Sequence, residues 1–431
     1  MLLFVGGTWL IIKRITHTKE ITRYFNIVAF ILLLLPIVTI VLFTIRSRSD
    51  WDANTRMIGF ENVSDQVNEN FPRPDIYYII LDAYSRSDYM QTDFGFDNTY
   101  FIDFLREHQF YIAEQSNSNY NWTSLSLGSS LNMDFVQNLG LDLVFGNYPA
   151  IFVDPIRHSR VRTQLEQLGY QTIAFRTSYI PTEIIDADIY YASDPEILEN
   201  LREPLSLNSF ESMLLRSTAG LILWDVAGPK IRNWVEERIS YPANVLRQTI
   251  LDQFEYLGEV PSIPDPKFIF THIVAPHPPF LFGPNGEYLN QEDVFTLADT
   301  NGLSGTRKAE LYKDQATYIT SRVMETVETI LQNSDTPPII ILQADHGPCI
   351  NVMSCSEGDG LRQKFAILNA YYLPGGCDQS LYTTITPVNS FRIIFNCYYD
   401  ADYPLLEDNS FHTNHPSWSA YQFKLVNEEI R

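Results

Sequence analysis

Cysteine is missing from the first 348 of 431 residues, and positive charge is scarce: 30 Lys and Arg stand against 52 Asp and Glu, a formal net charge of −22. So acidic a chain lacks the basic stripe that tracks phosphates, which excludes a nucleic-acid binder. Internal repeats and low-complexity tracts are also absent, so neither a solenoid nor a disordered array fits. The few cations are unevenly placed. Residues 1–48 carry +5, which leaves −27 for the rest.

That asymmetry goes with a membrane-anchored organisation. Asn26 to Ile45 is an apolar or uncharged run long enough to cross a bilayer, with Pro36 tolerable inside it. A transmembrane helix is therefore expected over 25–46. The basic loop before it, 13–24, is placed in the cytoplasm by the positive-inside rule. Residues 1–12 read as a partial transmembrane segment. A cleaved signal peptide fits less well, because the run is too long and no small-residue cleavage site follows. Residues 47–74 are polar, hold an Asn62-Val-Ser64 sequon, Pro72 and Pro74, and read as a linker. The acidic part, 75–431, is then an extracytoplasmic domain at the cell membrane, with the lipid bilayer as its first partner.

Within that domain, short apolar runs alternate with helical patterns. Strands are expected over Ile76–Leu81, Thr172–Phe175, Phe268–Ile273, Ile339–Leu342 and Ala366–Tyr372. Helices are expected over Arg160–Leu168, ended by Gly169, and over Tyr312–Gln332. The alternation predicts an α/β fold: a mostly parallel central sheet with helices on both faces. The four cysteines, Cys349, Cys355, Cys377 and Cys397, are an even set in an exported domain and predict two disulfides. Connectivity is not fixed by sequence; the local pairing 349–355 and 377–397 is preferred over a zinc cluster, since the spacing matches no C-x-x-C knuckle.

The motif with most chemistry in it is Ile339-Ile-Ile-Leu-Gln-Ala-Asp345-His346-Gly347. Its uncharged run reads as a buried parallel strand, and ligands bind at the carboxyl ends of such strands. An oxygen donor beside a nitrogen donor there suits a divalent metal. A bare Asp-His-Gly is equally a polar turn, but a second strand has the same design: Asp75-Ile-Tyr-Tyr-Ile-Ile-Leu-Asp82. Downstream of it, in Asn119-Tyr-Asn121-Trp-Thr123-Ser, either Asn121 or Thr123 would cap a helix. That leaves the Thr123 hydroxyl near a helix N-terminus, where a neighbouring metal would make it a plausible nucleophile. A fourth element, Phe268-Ile-Phe-Thr-His272-Ile-Val-Ala-Pro-His277-Pro-Pro-Phe, places His277 after a strand between prolines. His272 lies inside the strand and reads as a satisfied core histidine.

The ordered set of strand-Asp82, Asn121-Trp-Thr123-Ser, Pro276-His277-Pro-Pro and strand-Asp345-His346-Gly resembles the alkaline phosphatase/sulfatase superfamily. It is most similar to the membrane-anchored branch that includes lipoteichoic acid synthases and phosphoethanolamine transferases. The resemblance runs over roughly residues 73–431. It implies that Asp82, Thr123, Asp345 and His346 hold one divalent metal ion (Mn²⁺, Zn²⁺ or Mg²⁺). It further implies that Thr123 is also the nucleophile, and that His277 contacts the phosphoryl group. The implied activity is hydrolysis or transfer of a phosphate ester through a phospho-threonine, with a lipid head group or envelope glycan as substrate or acceptor.

Arg176 follows a strand and suits neutralisation of substrate charge; Arg157, His158, Arg307 and Lys308 are weaker candidates of that kind. Within Phe411-His412-Thr-Asn-His415, a late histidine resembles those that complete a second metal site, but no Asp-x-x-x-His lies between His277 and Asp345, so one metal is expected. A formylglycine sulfatase needs Cys/Ser-x-Pro-x-Arg, whereas this chain has Thr123-Ser-Leu-Ser-Leu. Sulfate-ester hydrolysis and a catalytically silent binding protein remain the alternatives.

Overall fold

In the computed structural model the described residues are 73–141, 143, 150–193, 241–289, 303–350, 352, 354–413 and 421–431, with a few helical ones between 19 and 30. One compact unit, Glu61–Arg431, contains every element named below; the other is Met1–Phe60. Most of the expected membrane segments and linker, the sequon and His415 lie outside the described residues. Among the described residues no helix is long and apolar enough to cross a membrane.

In chain order the elements are β1 (Ile76–Leu81), α1 (Ser87–Phe94), α2 (Thr99–Glu107), β2 (Tyr111–Ile112), α3 (Thr123–Asn132), α4 (Val153–Arg157), α5 (Arg160–Gln167), β3 (Gln171–Phe175) and β4 (Ile189–Tyr191). They continue with α6 (Tyr241–Glu259), β5 (Lys267–Ile273), α7 (Gly305–Asn333), β6 (Ile339–Gln343), α8 (Gly358–Phe365), β7 (Asn369–Tyr372), α9 (Pro387–Tyr398), β8 (Phe411–Thr413), β9 (Phe423–Leu425) and α10 (Asn427–Ile430). Seven strands form one sheet in the order β2-β7-β6-β1-β5-β3-β4. The pairs β1–β5, β1–β6, β3–β5 and β3–β4 are parallel, whereas β7 runs antiparallel to both β6 and β2.

The sheet is apolar on both faces because helices cover both. All six residues of β1 are buried. Tyr77, Ile79 and Leu81 join the core beneath α1, α2, α6 and α7, while Ile76, Tyr78 and Ile80 join the core beneath α3, α4, α5 and α9. A strand alternates its side chains between faces, so one uncharged run feeds two cores. That explains why β1, β5 and β6 read as continuous hydrophobic stretches.

The expected α/β architecture is present, with corrections at element ends. The helix expected at Tyr312–Gln332 begins earlier, at Gly305, because the Ser304 side chain accepts from Arg307 N–H and caps it. The strand expected from Ala366 starts at Asn369, since Ala366 and Ile367 turn aside into isolated bridges with Asn117 and Ser85. Both local disulfides are formed, Cys349–Cys355 and Cys377–Cys397.

Candidate metal centre and active site

Register brings the two aspartates together. Ile80 pairs with Gln343, so two further residues on each chain place Asp82 beside Asp345 at the carboxyl edge. Asp82, Asp345 and His346 each offer a ligand atom, all within 4.8 Å of one another and all buried. His346 Nε2 is 3.5 Å from Asp345 Oδ2 and 3.9 Å from Asp82 Oδ1. Asp345 Oδ1 accepts from Ala83 N–H at 3.1 Å. Asp82 Oδ1 and Asp345 Oδ2 are buried and, among the described residues, have no hydrogen-bond partner. Two acceptor oxygens left bare in the interior cost free energy unless something positive meets them. The two oxygens and the imidazole nitrogen, with a hydroxyl beside them, suit a divalent cation such as Zn²⁺ or Mn²⁺.

That hydroxyl belongs to Thr123, whose Oγ1 lies 3.3 Å from His346 Nε2. Thr123 is the first residue of α3, and the position before it is Trp122, with no side-chain cap. The expectation that Asn121 or Thr123 caps the helix is therefore corrected. Asn121 spends its amide on β8 instead, donating to Thr413 O and accepting from Thr413 N–H, both at 3.0 Å. This clamp fixes the chain just before Thr123.

His277 comes from the segment after β5. Its backbone N–H donates to Asp82 O at 3.0 Å, and its Nδ1 donates to Pro278 O at 2.6 Å, leaving Nε2 for a ligand. Its ring centroid is 6.1 Å from that of His346. Burial pushes the Asp82 carboxyl up, but His277, His272 and His346 together outweigh it and hold Asp82 below the usual carboxylate range. His346 is lowered to about 4, chiefly by burial. When its Nδ1–H donates to Gly347 O, 3.0 Å away, Nε2 presents a lone pair to the space shared with Asp82, Asp345 and Thr123.

Two residues escaped the sequence reading. Lys364, near the end of α8, brings Nζ to 3.2 Å from His346 Nδ1 and 5.7 Å from the centroid of the Trp122 ring. Burial lowers it to about 8, with Asp345 and Asp82 opposing the shift. Among the described residues no carboxylate forms an ion pair with it. Its position depends on Gly347, whose N–H donates to Lys364 O at 2.8 Å. A Cβ on Gly347 would meet Gln363 O at 2.0 Å. The second is His272. It is fully buried, as a core histidine should be, yet its Nε2 lies 3.2 Å from Asp82 Oδ2.

Other candidates lie elsewhere. Arg176 sits at the end of β3, two strands from β1, with its N–H donating to Tyr191 O and its carbonyl accepting from Gln253. Among the described residues no hydrogen bond or ion pair joins its guanidinium to Asp82, Thr123, Asp345 or His346. Arg157 and His158 bind Glu183 and the Asp154/Asp186 pair, and Arg307 binds Glu310. Lys308 belongs to the first turn of α7, with its N–H on Ser304 O. His412 lies in β8, outside the converging ligand atoms; burial lowers its pKa, with Lys424 and Lys364 adding to the effect.

No family model matches the sequence, and no curated protein matches it. Solved structures do. The C-terminal periplasmic domain of EcEptC from Escherichia coli superposes with a TM-score of 0.50 at 12% identity, covering 83% of this chain and 94% of that one. The integral membrane lipooligosaccharide phosphoethanolamine transferase A from Neisseria meningitidis gives 0.50 at 11% identity, over 92% of this chain and 67% of that one. This is the alkaline phosphatase-like fold. The likeness is one of fold, and it spans the sheet and its helices as well as the short motifs.

Proposed function

We propose that this chain is a metal-dependent enzyme that hydrolyses or transfers a phosphate-ester group, with Thr123 as nucleophile and the catalytic domain outside the cytoplasm at the cell membrane. One observation carries the reading: the Thr123 hydroxyl stands 3.3 Å from the His346 nitrogen that converges with two buried, unpartnered carboxylate oxygens. A divalent cation bound by Asp82, Asp345, His346 and Thr123 supplies positive charge that lowers the hydroxyl's pKa and steadies the phosphoryl oxygens. The rest falls to the chain's own side chains. Thr123 Oγ1, its proton released to solvent, attacks phosphorus in line; the Oγ1–P bond forms as the bond to the leaving alcohol breaks. His277, through Nε2, gives that alcohol its proton. Lys364 lies on the far side of the His346 ring, where its ammonium balances the phosphoryl charge. Arg176, two strands away, is left for anionic parts of the substrate more distant from phosphorus. Water or an acceptor alcohol then attacks the phospho-threonine and restores the hydroxyl.

A lipid head group or an envelope glycan is the proposed substrate or acceptor, in keeping with the apolar run Asn26–Ile45. The decisive experiment uses the full chain in detergent, supplied with Mn²⁺ or Zn²⁺ and tested on p-nitrophenyl mono- and diesters. A phosphorylated peptide containing Thr123, recovered after acid quench and identified by mass spectrometry, supports the reading. Turnover without any such peptide, together with undiminished turnover in Thr123→Ala, refutes it.

A further inference from the structure

His272 does more than fill the core. Its position on β5 pairs with Ile80 on β1, so its side chain shares a sheet face with Asp82, two residues beyond. Nε2 stands 3.2 Å from Asp82 Oδ2, within ion-pair reach though not aligned as a hydrogen bond. On the other side of the ring, Nδ1 lies 3.0 Å from Thr182 Oγ1. Thr182 Oγ1 is 2.9 Å from Thr177 Oγ1, which accepts from Tyr179 N–H at 3.1 Å.

These distances admit a chain of donors with one direction. Tyr179 N–H gives to Thr177 Oγ1, Thr177 gives its proton to Thr182 Oγ1, Thr182 gives its proton to His272 Nδ1, and His272 keeps a proton on Nε2, facing Asp82. The ring is held from the side as well. Tyr179 packs edge-on against it, with centroids 6.0 Å apart, while the Tyr179 hydroxyl bonds Ser124 Oγ at 2.8 Å, next to Thr123. Gln253 anchors the backbone by donating to His272 O at 2.9 Å. Asp82 is thus asymmetric: Oδ2 faces the imidazole, while Oδ1 is bare and belongs to the converging ligand atoms.

We infer that His272, set by Thr182, is a positioning residue that turns the Asp82 carboxylate so that Oδ1 alone is presented to the cation. This rests on the reading of Asp82 as a ligand. An outer partner of this kind raises metal affinity by fixing the ligand's orientation before the ion arrives.

The test is Zn²⁺ affinity of the chelator-stripped full chain, measured by competition with a chromophoric chelator, alongside the melting temperature of each metal-free variant. His272→Phe is expected to weaken Zn²⁺ binding about 10- to 100-fold. His272→Gln, whose amide N–H can reach Oδ2, should recover most of that loss. Thr182→Val, which removes only the hydroxyl behind the ring, should weaken binding several-fold with an unchanged metal-free melting temperature. If His272→Phe fails to fold, Thr182→Val and His272→Gln decide. Wild-type affinity in both His272→Phe and Thr182→Val overturns the inference, and so does a His272→Gln protein as weak as His272→Phe. Asp345→Asn separates the two levels: if it binds Zn²⁺ as the wild type does, the metal centre itself is refuted. If Asp345→Asn loses Zn²⁺ while His272→Phe and Thr182→Val keep it, only the role of His272 falls.

Discussion

Thr123 Oγ1 and His346 Nε2 lie 3.3 Å apart although 223 positions separate them in the chain. One opens a helix on the sheet's α3 face and the other follows the strand next to β1. Their meeting sets a hydroxyl beside a buried pair of carboxylates.

Removing that hydroxyl should be decisive. Thr123→Ala is expected to lower kcat/KM for p-nitrophenyl esters at least ~10³-fold, whereas Thr123→Ser keeps a measurable fraction. Equal rates in Thr123→Ala and wild type would sink the nucleophile assignment.

Asp345→Asn should separate stability from metal binding. It removes one of two neighbouring buried carboxylates, so the metal-free protein should melt at a higher temperature than wild type. The rise in melting temperature that Zn²⁺ or Mn²⁺ gives the wild type should disappear in the variant. Calorimetry with and without the ion checks both halves. A metal-induced rise that survives unchanged contradicts the ligand role.

Lys364 offers a pH signature. Its pKa is lowered from 10.5 to about 8 in the folded protein. Between those values the unfolded chain holds a proton that the folded chain has released, so stability rises as pH climbs from 8 to 10.5. Below about pH 8 the cost of the buried charge is fully present. Lys364→Met should therefore stabilise the metal-free protein by ~1–2 kcal/mol at pH 7, allowing for its partial exposure, and the gain should fade towards pH 10.5. The same variant should lose activity ~10- to 100-fold. Denaturant melts at several pH values, read beside the rates, test the pairing; a destabilised variant at pH 7 would contradict it.

The two disulfides should behave differently. Cys377–Cys397 spans 20 positions and Cys349–Cys355 spans 6. Loop-closure entropy assigns them about 3 and about 2 kcal/mol. Cys377→Ser with Cys397→Ser should thus cost more stability. Cys349→Ser with Cys355→Ser should cost more activity, because that loop leaves directly from His346 and Gly347. Melting temperatures and rates of the two double variants give the comparison, and the reverse ranking of activities would refute it.

How much of this the sequence disclosed depends on how local each signal is. Asp82, Asp345 and His346 end uncharged runs, so a single stretch of chain shows both the strand and the donor atoms at its edge. Thr123 and His277 were visible for the same reason, as polar residues at element boundaries. Lys364 was not, because it lies on an ordinary amphipathic helix and matters only through the turn that folds α8 back onto Gly347. His272 was read as core, and it is; its second role depends on strand order, which places β5 beside β1. Asn121 carried a capping residue's chemistry, but a partner some 290 positions away, Thr413, took both ends of its amide. The first seven residues of α7, Gly305 to Leu311, were missed because the apolar stripe weakens before Tyr312, and only the Ser304 cap marks the start.

Gly347 sets a clearance rather than a hinge. Its neighbour there is backbone, the Gln363 carbonyl, and backbone cannot rotate away as a side-chain tip can. One added methyl would lift the last turn of α8 and carry the ammonium away from the imidazole. The reach of the site's cation is therefore gauged by a hydrogen atom, and the third letter of Asp-His-Gly is a spacing tolerance of the charge that follows it.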